Sequence, residues 1–187
     1  MEDRHIIAVY CRFRDDDKIK NTGDYLQMLP EHVINRIKKA DDVYRRINAS
    51  HADSEYTRIV FFGQKSIAPL KQYGKNIGLP EEKIVLDDCK DLATMVKKIW
   101  DNVRNSGVPP RVYFAVSNWQ WVFLDPLINV KDDRYRFYFE GAVDERHPDE
   151  IEKDKKMERV AKIELKEGKL ASILDKVGGG LSENLKG

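Results

Sequence analysis

Arg111-Val112-Tyr113-Phe114-Ala115-Val116-Ser117-Asn118-Trp119-Gln120 is an apolar run that stops abruptly on a hydroxyl, an amide, an indole and a second amide. Its β-branched and aromatic residues follow one another without polar interruption, as in a strand covered on both faces. The Ser-Gly-Val-Pro-Pro of 106–110 closes off whatever precedes it. The reading is a central strand of a parallel sheet. In an open α/β sheet a ligand crevice lies beyond the carboxyl ends of the strands, so the polar end of this run is where a site is expected.

Working back toward the amino terminus, Leu92, Met95, Val96, Ile99, Trp100 and Val103 fall at helical spacing behind the N-cap candidate Asp91. Trp100 is thereby assigned to the core. Before that helix, residues 83–86 read as a short strand ending at Asp87-Asp88-Cys89, and Gly78-Leu79-Pro80 stops a helix carrying Ile67, Leu70, Tyr73 and Ile77. Residues 57–62 read as a strand that Gly63-Gln64-Lys65-Ser66 closes. A lone glycine there permits a tight turn, and the helix start behind it offers N–H groups to an anion, but the residues form neither a dinucleotide fingerprint nor a P-loop. The first helix begins at Pro30-Glu31, with Val33, Ile37, Ala40, Tyr44 and Ile47 in one stripe to about residue 48. The first strand spans residues 5–13.

Toward the carboxyl terminus, residues 121–130 suggest a short helix interrupted near Pro126. Residues 135–139 suggest a fifth strand, and 141–148 a loop. From Asp149 a charged amphipathic helix carries Ile151, Met157, Val160, Ala161 and Leu165. Gly168 breaks it, a further helical turn or two extends to residue 177, and 178–187 is a tail. The alternation of strands and helices predicts a three-layer α/β/α Rossmann-like domain with a mainly parallel five-stranded sheet, occupying 1–177 as a single domain.

The totals bound the partners. The 187 residues carry 33 basic and 32 acidic side chains, a net charge of +1, so no global field draws nucleic acid or an anionic membrane. A nucleic-acid role would need a local basic rim, for which Arg12, Arg14, Arg36 and Lys65 are the candidates. No apolar run approaches the roughly 20 residues that cross a bilayer, and Met1-Glu2-Asp3-Arg4-His5 lacks a signal-peptide pattern, which predicts a cytoplasmic protein. The aspartates Asp15, Asp16 and Asp17 are consecutive rather than spaced as calcium ligands, so they read as a solvated turn. Cys11 and Cys89 offer no metal-ligand spacing and read as buried, reduced thiols.

Several pieces together resemble the YdcF/SanA-like domain family. Arg36-Ile37-Lys38-Lys39-Ala40 with Tyr44 looks like the family's Arg-x-x-x-Ala helix, and Phe62-Gly63-Gln64 stands where a strand ends in Ser-Gly-Gly. Gly78-Leu79-Pro80, Ile84-Val85-Leu86, Asp88, Asp91 and Thr94 are similar to its Gly-x-Pro turn, acid-ended strand and Ser/Thr-rich helix start. Residues 115–123 resemble Val-Thr-Ser-x-x-His-x-x-Arg, with Ser117 kept, Gln120 in place of the His and Phe123 in place of the Arg. An amide cannot shuttle a proton, and a phenyl ring cannot fork onto an anion. The resemblance implies a Rossmann-like fold with strands one and three flanking strand two. That order sets Cys11 and Cys89 roughly 9–10 Å apart, too far for a disulfide.

What the resemblance implies for function is a small-molecule ligand, nucleotide-like or anionic, S-adenosylmethionine among the possibilities. It would be held by Gly63, Gln64 and Ser66 from one turn, Asp87, Asp88 and Thr94 from a second, and Ser117, Asn118 and Gln120 from a third. No reaction is assigned: Ser117 lacks a nucleophile elbow and none of the four histidines neighbours it in sequence, so it reads as a hydrogen-bonding group. The alternative is a divergent, non-catalytic domain that binds a protein partner, with Trp119, Trp121 and Phe123 filling the old pocket or forming a contact surface. Whether a polar cavity remains beside Ser117 separates the two.

Overall fold

The computed structural model describes residues 3–14, 29–50, 54–63, 68–129 and 132–167, the last seven of these as helix backbone. Five strands, β1 (His5–Tyr10), β2 (Thr57–Gly63), β3 (Ile84–Asp88), β4 (Arg111–Ser117) and β5 (Arg136–Ala142), form one sheet in the order β3-β2-β1-β4-β5. Every neighbouring pair is parallel. The three-layer α/β/α Rossmann-like reading therefore stands, and the sheet is parallel throughout.

Alternation along the strands sends side chains to two separate cores. Ile6, Ala8, Val60, Phe62, Val112, Phe114 and Val116 pack against α3 (Leu92–Arg104) and α4 (Trp121–Ile128). Ile7, Val9, Ile59, Phe61 and Ala115 pack against α1 (Glu31–Ser50) and α2 (Ala68–Asn76). Both faces of β1 and of most of β4 are covered, which is why these strands read as unbroken apolar runs. Trp100 is buried, donates from Nε1 to the Leu127 carbonyl at 3.1 Å and meets Tyr135 and Phe137 edge-on. The fifth helix, α5 (Pro148–Glu167), lies against α3 and α4.

Three boundaries differ from the sequence reading. β1 ends at Tyr10 rather than 13, because the next residues leave the sheet to serve the site described below. β5 runs on to Ala142, where Gly141 permits close packing: the Asn118 side-chain oxygen occupies the space a Cβ would need. α4 continues through Pro126 without interruption. The missing N–H would have bonded the carbonyl of Val122, an exposed residue whose carbonyl water can satisfy. The segments 170–177 and 178–187 and the aspartates 15–17 lie outside the described residues.

Candidate functional site

Chain direction reverses between β1 and β4: β1 leads by α1 to β2 on one side, while β4 lies on the other. This is the switch point at which open α/β sheets bind ligands, and here α1 sends Arg36 across the carboxyl ends of the strands. Arg36 is 1% exposed. Its Nε donates to Ser117 Oγ at 2.9 Å, and its Nη1 to the carbonyls of Tyr10 at 3.0 Å and Arg12 at 3.4 Å. The guanidinium also stands over the Tyr10 ring.

Asp144, in the turn after β5, completes the cluster. It accepts from Ser117 Oγ at 3.1 Å and from Trp119 Nε1 at 2.9 Å, takes a forked pair of 2.9 Å bonds from Arg146, and lies 3.9 Å from Arg36. Burial alone would raise its pKa. The Arg146 and Trp119 hydrogen bonds, with the charges of Arg146 and Arg36, override burial and hold the carboxyl well below the usual range.

α5 then closes the crevice from above. Its Asp154 pairs with Arg146 at 2.8 Å and Arg14 at 3.5 Å, and its Met157 sulfur accepts from Arg12 at 3.9 Å. Glu158 is the one buried residue in 148–160. Its carboxylate accepts from Tyr10 Oη at 2.7 Å and from the backbone N–H of Leu92, the first residue of α3, at 3.0 Å. The protein's own anion thus occupies the helix N-terminus where a ligand anion would bind. Burial pushes this carboxyl up to about 6 against the bonds from Tyr10 and Leu92.

Among the described residues, little space is left. The cavity between β1 and β4, lined by Arg12, Arg36, Trp119, Gln120 and Glu158 among others, measures about 10 Å³, the volume needed for one water molecule. Gln120 is fully buried: its Oε1 accepts from the Ser117 N–H at 2.8 Å, while its Nε2 has no protein partner.

Of the nine residues expected to form the site, the seven described do not converge. Ser117 and Gln120 belong to the switch-point cluster, and Asn118, beside them, is exposed and packs over Gly141. Gly63 ends β2 with an ordinary φ, and a Cβ there would press on Leu70 at 3.3 Å and Cys11 at 3.7 Å, so the glycine serves helix–strand packing. Asp87 and Asp88 end β3, three strand steps or about 14 Å from β4, where Lys98 binds the Asp87 carboxylate and the Asp88 carbonyl. The Thr94 N–H is spent on the Asp91 N-cap at 2.6 Å. Gln64 and Ser66 lie outside the described residues. Arg12, Arg14 and Arg36 do share a rim, as a nucleic-acid site would require, but Asp144, Asp154 and Glu158 face them across it.

Sequence reasoning missed Asp144, Arg146, Asp154, Glu158 and His32. The histidine lies among Arg14, Arg36, Asp144 and Arg146, and burial, then the nearby guanidiniums, lower its pKa to about 2. Neither the depressed Asp144 nor the neutral His32 is a base matched to taking the Ser117 proton near neutrality. The thiols of Cys11 and Cys89 are buried and free, and burial pushes both far above their usual range, which leaves them unreactive. Among the described residues no group of three or more His, Cys, Asp or Glu is placed to hold a metal ion, and no helix is long and apolar enough to cross a membrane.

Two larger spaces open elsewhere among the described residues. A cleft of about 700 Å³ opens at the amino ends of β1, β4 and β5, among Arg4, Arg111, Arg134 and Arg136. A groove of about 420 Å³ runs along β5, between Trp121 of α4 and the strand's aromatic residues. No family model, curated protein or solved structure matches the chain, and the likeness to YdcF/SanA-like proteins rests on motif order alone.

Proposed function

We propose that this chain is a non-catalytic α/β domain that works by presenting a surface to a protein partner, the crevice at its switch point being occupied by its own side chains. The observation that carries this reading is the 10 Å³ left between β1 and β4, against the several hundred cubic ångströms that a nucleotide-sized ligand fills. The Nε and Nη1 of Arg36, the Ser117 hydroxyl and both carboxylate oxygens of Asp144 already make hydrogen bonds inside the protein. Four of the seven exposed large hydrophobic residues among those described, Trp121, Val122, Tyr138 and Val143, lie on β5, just after it or in α4, while Val85, Val108 and Val160 lie elsewhere.

The test is a thermal-shift screen against nucleotides, S-adenosylmethionine, sugar phosphates and divalent cations. A ligand present at 100 times its dissociation constant adds about 2.7 kcal/mol of stability. The expected result is no selective rise. A rise with one compound class that disappears in Ser117→Ala overturns this reading in favour of a small-molecule site at the switch point, with S-adenosylmethionine the first compound to examine.

A further inference from the structure

We infer that β5 pairs edge to edge with β5 of a second copy of this chain, antiparallel and centred on Tyr138, to give a symmetric dimer with one continuous ten-stranded sheet. The strand is the last in the β3-β2-β1-β4-β5 order, and no backbone partner among the described residues occupies its outer edge. Such an edge is a template for another strand, and proteins that keep it single blunt it with proline, bulges or inward-pointing charges. Arg136-Phe137-Tyr138-Phe139-Glu140 has no proline, and its two charges are opposite in sign, so across a two-fold axis they attract rather than repel.

Its sequence is self-complementary in one register. A two-fold axis through Tyr138 sets Arg136 opposite Glu140 of the second copy, and Glu140 opposite its Arg136, on the α1 face. The same axis sets Phe137 opposite Phe139 and Phe139 opposite Phe137 on the α4 face, with the two Tyr138 rings side by side at the centre. The charges are arranged for it. Arg136 is exposed and has no ion-pair partner among the described residues. Glu140 meets Arg46 at 2.6 Å on the same face, and a carboxylate can accept from a second guanidinium as well. Tyr138 is held in place by stacking on Tyr113 at 4.8 Å, and Phe139 by Trp121 at 4.9 Å, so little side-chain freedom remains to be lost on association.

This inference names the partner in the interaction reading and rests on that reading for its functional meaning, but the two fail separately. The experiment is sedimentation velocity on the wild-type chain, on Arg136→Glu and on Glu140→Arg, each alone and the two variants mixed, with thermal melts to verify folding. The wild type is expected as a dimer that dissociates on dilution. Each variant alone sets like charges opposite each other twice and should associate about tenfold or more weakly. Mixing the two variants restores opposite charges at both places and should restore the dimer. Tyr138→Asp, which sets two carboxylates together on the axis, should abolish dimerisation without disturbing the core.

A wild type that stays monomeric at every concentration overturns the inference, and so does a mixture no more associated than its components. Either result leaves the outcome of the ligand screen untouched. A ligand found at the switch point would in turn leave the dimer standing.

Discussion

The two ends of β4 and its neighbours make opposite use of charge. At the carboxyl end, Arg36, Arg146, Asp144 and Asp154 are buried or half-buried and paired, and the cavity that Arg36 and Asp154 help to line measures about 10 Å³. At the amino end and along β5, Arg4, Arg134 and Arg136 stand beside open clefts of about 700 and 420 Å³. Both regions are rich in arginine, so composition does not separate them. What separates them is whether the chain returns: α5 folds back over one end with three side chains that satisfy it, and no described element does so along β5. A polar cluster in a fold's customary ligand position is thus evidence of a site only once the chain's own claims on it have been subtracted.

That contrast breaks most directly at Arg36. Arg36→Met removes the guanidinium that bridges Ser117, Asp144 and two carbonyls, leaving buried acceptors without their donor. Loss of one partner of a buried ion pair costs about 3–5 kcal/mol, to be read from urea denaturation. A loss below about 1 kcal/mol would mean that the crevice is not a tightly coupled polar core.

Glu158 and Asp144 give the contrast a pH signature, because their shifts have opposite signs. The folded-state pKa of Glu158 is raised from 4.5 to about 6, so the stability linked to its protonated form is fully present below about 4.5 and is lost as pH rises through 6. The 1.5-unit difference corresponds to about 2 kcal/mol. Asp144 is depressed, so its contribution is present above its usual 3.8 and is lost as pH falls below that value. Buried His32, its pKa lowered to about 2, makes stability rise with pH up to about 6.5 in both proteins, so the Glu158 contribution is read from the difference: the wild type should lose about 2 kcal/mol relative to Glu158→Gln as pH rises from 4.5 through 6. A difference that stays constant across this range would show that burial does not raise the Glu158 carboxyl.

Smaller effects sharpen the picture. Ser117→Ala removes one hydroxyl that accepts from Arg36 and donates to Asp144, with an expected loss of about 1–2 kcal/mol and no gain in ligand affinity. On the open side, Arg136→Glu should change the stability of the isolated chain by no more than about 0.5 kcal/mol, even as it weakens association. A large destabilisation there would show that Arg136 has a structural duty in the monomer.

The fold was legible because burial on both faces leaves a continuous apolar imprint, clearest in 5–11 and 111–117, and because the stripes of α1 and α3 keep helical spacing. The site was legible only in part. Ser117 and Gln120 were found because they end the central strand, whereas Arg36 was noticed as a motif residue without its role. Asp144, Arg146, Asp154 and Glu158 sit in stretches that read as a loop and a charged helix, and sequence patterning does not distinguish a charge facing water from one facing an arginine. Asp87, Asp88 and Thr94 were grouped with Ser117 because strand ends look equivalent in sequence. The strand order, which separates β3 from β4 by two intervening strands, is what divides them.

Residues 148–160 of α5 bury a single side chain, Glu158, which ties the helix to Tyr10 of β1 and Leu92 of α3 by hydrogen bonds. A segment attached in this way opens at a lower free energy than the apolar strands beneath it. Its amide hydrogens should therefore exchange with solvent well before those of β1, in subglobal events that leave the sheet intact. Alkalinity past the Glu158 transition should make those events more frequent, so access to the crevice is a rate that the medium sets, on a clock separate from that of unfolding.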